Sequence, residues 1–426
     1  MKYRFLLIFL IVPIILISEN YTLEELLNYA LQHNTTLQQS NINLEISQAR
    51  RSSARVNYLP DLSAGIGRTE DFEARRVNDD PVSMNFMEIG VSKSIALNNE
   101  SYFMNKNAQH DLNLAVIANE IQLQDIIFRI VEGYINVLEN QKRIGLLEEN
   151  IRIQESIVFE SNQLFRQNRI TPFEVQQSEI NLLNARINAL NARNNLTLSR
   201  NRLFDLINIT DEGKELAEVR LYENEPAESF SREIDFEQIL QVQQQNETAE
   251  RQRTSITQTK LDFYPQISLR YNLNRNLSSS DWDFDNGRTS HTLGLNISYS
   301  LNRLLRNRYS MQTAYLLDEH NRLGTSRLLQ DINIRYNQYL EELNYLQQLN
   351  VLQENRVQQT TDNLEIAQQR YRLGLLTQLD LDRARYDYLN SRIDLEVNQY
   401  QLILKKLSID HLLSNILHSF YEYIEN

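Results

Sequence analysis

At two equivalent places in the chain a hydroxyl stands three residues ahead of a carboxylate: Thr171-x-x-Glu174 and Thr377-x-x-Asp380. At that spacing the threonine oxygen reaches the backbone N–H of the acidic residue, so both pairs resemble capping boxes at helix N-termini. Pro172, just inside the first pair, fits the same reading. Little else is arranged for chemistry. The six His (33, 110, 291, 320, 411 and 418) are scattered without metal-ligand spacing, and the five Met do not cluster. With no Cys there is no disulfide, no thiolate metal site and no lipid-modified cysteine at the N-terminus. Gly-rich phosphate loops, nucleophile elbows and zinc motifs are missing. No catalytic residue, cofactor or metal is expected.

The residues around these pairs occur twice. FRQNRITPFEVQQSEI from Phe165 and YRLGLLTQLDLDRARY from Tyr371 each close one helical pattern and open another, offset by 377 − 171 = 206 residues. The same offset carries Val91-Ser92-Lys93-Ser94-Ile95 onto Ile297-Ser298-Tyr299-Ser300-Leu301. A period this long marks a duplicated fold unit rather than a solenoid module of about 20 to 50 residues.

Composition favours long helices. Only 10 Gly and 6 Pro occur in 426 residues, where ordinary chains carry about 7% and 5%. The mean hydropathy of −0.49 excludes a helical membrane protein. A net charge of −13 leaves no basic footprint for nucleic acid. Lys2, Arg4, the apolar run at 5–17 and the small Ser18 read as a signal peptide over residues 1–18. The run is shorter than the roughly 20 residues of a membrane anchor, the alternative.

Residues 19–208 form a first structural repeat, 209–234 a linker, 235–415 a second repeat and 416–426 a tail. Thr22 and Glu25 open a helical region that Pro60 ends. Residues 61–69 and 86–97 alternate like strands, with Leu62, Ala64 and Ile66 in the first and Phe86, Ile89, Val91 and Ile95 in the second. A charged loop, EDFEARRVNDDPV, joins them. The second strand pair is 266–276 and 291–301, joined by NLSSSDWDFDNGRT. Apolar residues recur every seven positions at Val116, Leu123, Ile130, Val137, Ile144, Ile151, Val158 and Phe165, the seam of a coiled-coil-like helix. The second long helix, 303–372, has its seam at Leu329, Tyr336, Leu343, Asn350, Val357, Leu364 and Tyr371, with Asn350 as a polar break that could fix register. Helices at 172–208 and 378–414 return, with Ala185, Ala189 and Ala192 allowing close approach.

Two strands per half are marginal alone in water. About ten residues long, with Tyr58, Phe86, Tyr264, Tyr271 and Tyr299 at or near their ends, they suit a tilted membrane barrel. Four strands cannot close a pore, since bacterial barrels begin at about eight, so several chains would share one barrel. A small soluble sheet capping a helical bundle is the other reading.

The opening TLEELLNYALQHNTTLQQ, the strand entries YLPDLSAG and FYPQISLR, and the turn and return helix YRLGLLTQLDLDRARYDYLNSRIDLEVNQYQLILKKL resemble the TolC-type outer-membrane efflux protein family over about residues 21–415. That resemblance implies a mainly α fold with a small β part, built of long helical hairpins in two repeats. Four strands per chain would contribute to a twelve-stranded β-barrel of a homotrimer in outer-membrane lipid, above a periplasmic α-barrel. The function implied is a passive exit duct of a tripartite efflux or type I secretion system, working with a periplasmic adaptor and an inner-membrane pump of the RND or ABC type. By the same resemblance, Arg372, Leu373, Gly374, Leu375 and Thr377 on the second turn, and Arg166, Asn168 and Thr171 on the first, form the adaptor-docking tip. Asp380, Asp382, Glu174 and Tyr371 fall where the pore narrows. Capping remains the competing role for Asp380 and Glu174, and packing for Tyr371. A secreted coiled-coil scaffold is the alternative from another class; a periplasmic adaptor would carry one hairpin, not two. The exported substrate cannot be read from the chain.

Overall fold

The computed structural model describes residues 20–71, 82–96, 100–219, 221–222, 230–231, 233–276 and 288–417. The expected signal peptide, most of both strand-connecting loops, Trp282, Pro226 and the end of the tail lie outside them.

The chain folds as α1 (Leu23–His33), α2 (Thr35–Val56), β1 (Asp61–Asp71), β2 (Val82–Ala96), α3 (Glu100–Arg166) and α4 (Pro172–Ile207). The plan then repeats with α5 (Leu240–Leu261), β3 (Gln266–Asn276), β4 (Arg288–Ser298), α6 (Leu301–Arg372) and α7 (Gln378–Leu412). The opening helical region is two helices rather than one. Asn34 adopts an extended conformation, its Oδ1 accepts from Leu37 N at 3.0 Å, and its Nδ2 donates to the Leu206 carbonyl at 2.9 Å. An asparagine that caps a new helix while bonding a distant carbonyl outcompetes helix continuation.

Helix ends also repeat at the 206-residue offset. Asn168 and Gly374 have φ of 55° and 71°, and Asn208 and Ser414 have φ of 63° and 61°. After each long helix the chain closes a Schellman turn: Arg169 N bonds Leu164 O, and Leu375 N bonds Arg370 O, both at 2.9 Å.

Contacts divide the chain into two units, and α3 and α6 contribute to both. The first holds α1, residues 124–166 of α3, α4, the linker, residues 336–372 of α6, and α7. Its core includes the seam residues Ile130, Val137 and Leu343, all fully buried. Ala189 and Ala192 of α4 pack with Ile144 and Leu147 of α3 and Ile393 of α7, so the small residues do let helices approach closely. Asn350 meets α7, where the buried Asn398 donates to its side chain at 3.3 Å and to the Leu346 carbonyl at 3.1 Å. The linker pairs with the start of the chain: Tyr21 N donates to Glu215 O and Ala217 N to Tyr21 O, both at 2.9 Å.

The second unit, residues 39–123 and 234–335, contains the sheet. Its strands run in the order β1-β2-β3-β4, each antiparallel to the next, so β2 and β3 join the two halves. Below it α3 and α5 are tied by His110, which lies 2.7 Å from Glu247 and 3.1 Å from Thr254.

Candidate functional site

The register sorts the strands into two unlike faces. Leu62 pairs with Val91, Val91 with Tyr271 and Tyr271 with Leu293, so these four share a face, as do Ile66, Ile89, Leu269, Leu295 and Ile297. Among the described residues nothing covers this apolar face: Leu62 is 79% exposed and Leu293 73%. The opposite face carries Ser63, Gly65, Glu88, Ser92, Arg270, Asn272 and Asn296. Its polarity and small side chains suit water rather than a core.

Phe86 is an exception. Hydrophobicity groups it with Ile89, Val91 and Ile95, but its even position places it on the polar face, opposite Gly67. A Cβ on Gly67 would meet the Phe86 ring at 2.7 Å, so the ring lies over bare glycine backbone. This ring breaks the parity of the alternation that Ile89, Val91 and Ile95 keep.

Outer backbone edges of β1 and β4 have no strand partner among the described residues. At the helix end of the apolar face, Lys93 Nζ turns away to donate to the carbonyls of Asn57 (2.7 Å) and Leu59 (3.1 Å). Tyr58, Tyr264 and Tyr299 stand exposed around that boundary.

At the C-terminal ends of the long helices, the two turns are built alike and dressed differently. Thr171 and Thr377 cap α4 and α7, their hydroxyls accepting from Glu174 N (3.4 Å) and Asp380 N (3.2 Å). Glu174 completes the box by accepting from Thr171 N at 2.7 Å, whereas Asp380, one methylene shorter, takes the Thr377 hydroxyl at 2.6 Å. Gln167, Asn168 and Arg169 form the first turn, Leu373, Gly374 and Leu375 the second. Leu373 and Leu375 are 73% and 72% exposed; Arg166 and Arg372 are also at the surface.

Asp382 and Tyr371 are drawn inward instead. Tyr371 packs against Ala367, Leu381 and Ala384, and burial pushes its hydroxyl up, helped by the nearby Glu160. The Asp382 side chain, 11% exposed, accepts from Gln378 (3.0 Å) and Arg385 (3.3 Å) on its own helix and from Asn181 of α4 at 3.1 Å. Burial raises its carboxyl above the usual range, against the pull of Arg385 and the three hydrogen bonds. The structure therefore brings Tyr371 and Asp382 together with the first hairpin, and leaves Asp380 at the cap. Asn181, Gln378 and Arg385 were missed; only the i,i+3 and i,i+4 spacing around Asp382 could have signalled the latter two.

Among the described residues no helix is long and apolar enough to cross a membrane, which says nothing of a β-barrel. A comparison with curated proteins finds no match. Solved structures with the same fold include the CmeC outer membrane channel of Campylobacter jejuni, 15% identical over 92% of this chain and 86% of that one, TM-score 0.80. The outer membrane protein VceC of Vibrio cholerae is 19% identical over 92% and 95%, TM-score 0.78. The open state of the Neisseria gonorrhoeae MtrE outer membrane channel is 16% identical over 93% and 89%, TM-score 0.77. The Outer membrane efflux protein profile matches residues 26–208 and 237–415, taking in both repeats. With most of its length so matched, the chain belongs to the outer membrane efflux protein family.

Proposed function

We propose that three copies of this chain form a passive exit duct: a twelve-stranded barrel in the outer membrane continued by an α-barrel in the periplasm. Family membership places the chain in that membrane and compartment. The sheet carries the rest of the reading. It exposes one apolar face and ends in two edges that need partners. An edge inside hydrocarbon is intolerable, because no water satisfies its backbone groups. Joining β4 of one copy to β1 of the next removes every edge, and twelve strands exceed the roughly eight at which such barrels begin.

Energy would come from an inner-membrane pump, of the RND or ABC type, joined through a periplasmic adaptor. The second turn, with Leu373 and Leu375 on either side of Gly374, is the docking surface we favour. Arg372 and Thr377 flank it, and Arg166, Asn168 and Thr171 form a more polar counterpart. Tyr371, Asp382 and Glu174 mark the constriction, where Asp382 holds the two hairpins together through Asn181.

Because the chain has no Cys, a pair placed on the two edges reports assembly directly. Ser63→Cys combined with Asn296→Cys should give disulfide-linked species up to trimers in detergent. A monomer that stays in solution without detergent, and never cross-links, would refute the proposal.

A further inference from the structure

The apolar sheet face ends differently at its two boundaries. Toward the helices its one cation, Lys93, is folded back onto backbone carbonyls, and tyrosines stand around it. Toward the opposite ends of the strands, β1 passes from Ile66 to Arg68, β3 from Leu273 to Arg275, and β4 from Leu293 to His291. The register keeps all three on the apolar face, each one step beyond its last apolar residue.

Arg275 and His291 are diagonal neighbours across the β3–β4 pair, since His291 is opposite Leu273. His291 is also diagonal to Tyr271, whose hydroxyl lies 2.7 Å from His291 Nδ1. With that hydroxyl donating to Nδ1, the ring proton sits on Nε2 and is available as an outward donor. On the neighbouring strand Arg275 holds the diagonal position, and a guanidinium is a planar fork whose donors match phosphate oxygens. An arginine is costly in the middle of a lipid-facing strand and tolerated at its interface, so these side chains also fix where hydrocarbon stops.

We infer that this boundary binds the phosphate of an acylated lipid in the outer leaflet, with Arg275 and His291 on the phosphate and Leu273 and Leu293 against the acyl chains. The inference rests on the reading that the apolar face meets the bilayer. The helices extend into the periplasm, so the loop ends of the strands face outward. Arg68 supplies a second cation along the same boundary, suited to a lipid with more than one phosphate.

The test uses the full chain purified in detergent and stripped of lipid, with bound lipid counted by native mass spectrometry. The probes are bisphosphorylated lipid A, the same lipid after phosphatase treatment, and inorganic phosphate. Retention of the phosphorylated lipid should exceed that of the treated lipid on the order of ten-fold, as expected for charge-assisted hydrogen bonds, with no retention of inorganic phosphate. Arg275→Gln with His291→Gln should abolish the preference, and Arg275→Lys, which keeps the charge but not the fork, should keep only part of it. Arg270→Gln, on the polar face, should change nothing. Equal retention of both lipids, a double variant that still discriminates, or an equal loss in Arg270→Gln would overturn the inference. Flotation of each protein with lipid vesicles separates the two readings. A wild-type chain that floats without discriminating sinks the phosphate site alone; one that fails to float sinks the bilayer reading beneath it as well.

Discussion

Arg200 and Lys406 stand 406 − 200 = 206 residues apart, and each donates to a backbone carbonyl of the segment joining the two repeats. Arg200 reaches Lys214 O at 2.7 Å, and Lys406 reaches Tyr222 O at 3.0 Å. One repeat position in the returning helices thus secures the linker twice. Arg200 adds a two-pronged contact to Asp211, at 2.7 and 2.5 Å.

That contact gives the first prediction. The Arg200 hydrogen bond holds the Asp211 carboxyl below its usual range. A depressed folded value contributes stability above the unfolded pKa of about 3.9 and loses it as pH falls through the folded value. Arg200→Ala should therefore cost about 1–3 kcal/mol at neutral pH. The gap from wild type should close in acid when denaturant melts are compared. A gap independent of pH would show that packing on Phe204, whose ring lies 5.3 Å from the guanidinium, carries the effect.

Asp382 should behave in the opposite sense. Burial raises its folded pKa, so the folded chain binds this proton more tightly than the unfolded chain does. Stability from this group is greatest below about 3.9 and declines as pH rises through the raised value. Asp382→Asn should remove that decline, making hydrogen exchange near 175–185 and 371–385 less dependent on pH. An unchanged slope would mean that another group sets it.

The amide pair Asn350 and Asn398 ties α6 to α7 inside the first unit, yet Asn398 Oδ1 finds no partner among the described residues. Replacing both with Leu should raise stability by about 1–2 kcal/mol, since deleting both partners removes the stranded acceptor as well. Lower stability in the double variant would show that the pair is net favourable.

At the tips, Gly374→Ala forces a Cβ onto φ of 71° and should cost about 1 kcal/mol. Asn168→Gly, where φ is 55°, should be neutral or better. Equal losses at both sites would point to contacts rather than backbone.

For Asp380, whose carboxylate takes the Thr377 hydroxyl, Asp380→Asn in a reconstituted assembly should lower the melting temperature and leave cation preference unchanged. A fall in cation preference would move Asp380 from the cap to the pore wall.

The long helices and their reversals were legible because their signals are local and repeated: seven-residue spacing through Ile130 and Val137, and Thr171 and Thr377 before each return. The seam's end at Phe165 is 40% exposed, because heptad spacing marks a stripe and not what lies against it. Asn34 was passed over because its capping is sealed by Leu206, far away in sequence. Distance in sequence likewise hid Asn181 from Asp382 and Asn398 from Asn350. Phe86 was misplaced by hydrophobicity alone; counting parity against Met87 and Ile89 would have assigned it correctly.

The outward rims of β1 and β4 carry a genetic consequence. Under the proposed three-copy barrel, a solitary copy has no tolerable place in hydrocarbon, so entry into lipid would be collective, decided by all copies of a ring at once. A chain with a broken rim but sound helices would still be recruited and would spoil its neighbours. Co-expression with intact chains should then cost the cell more export than the fraction of damaged chains alone accounts for.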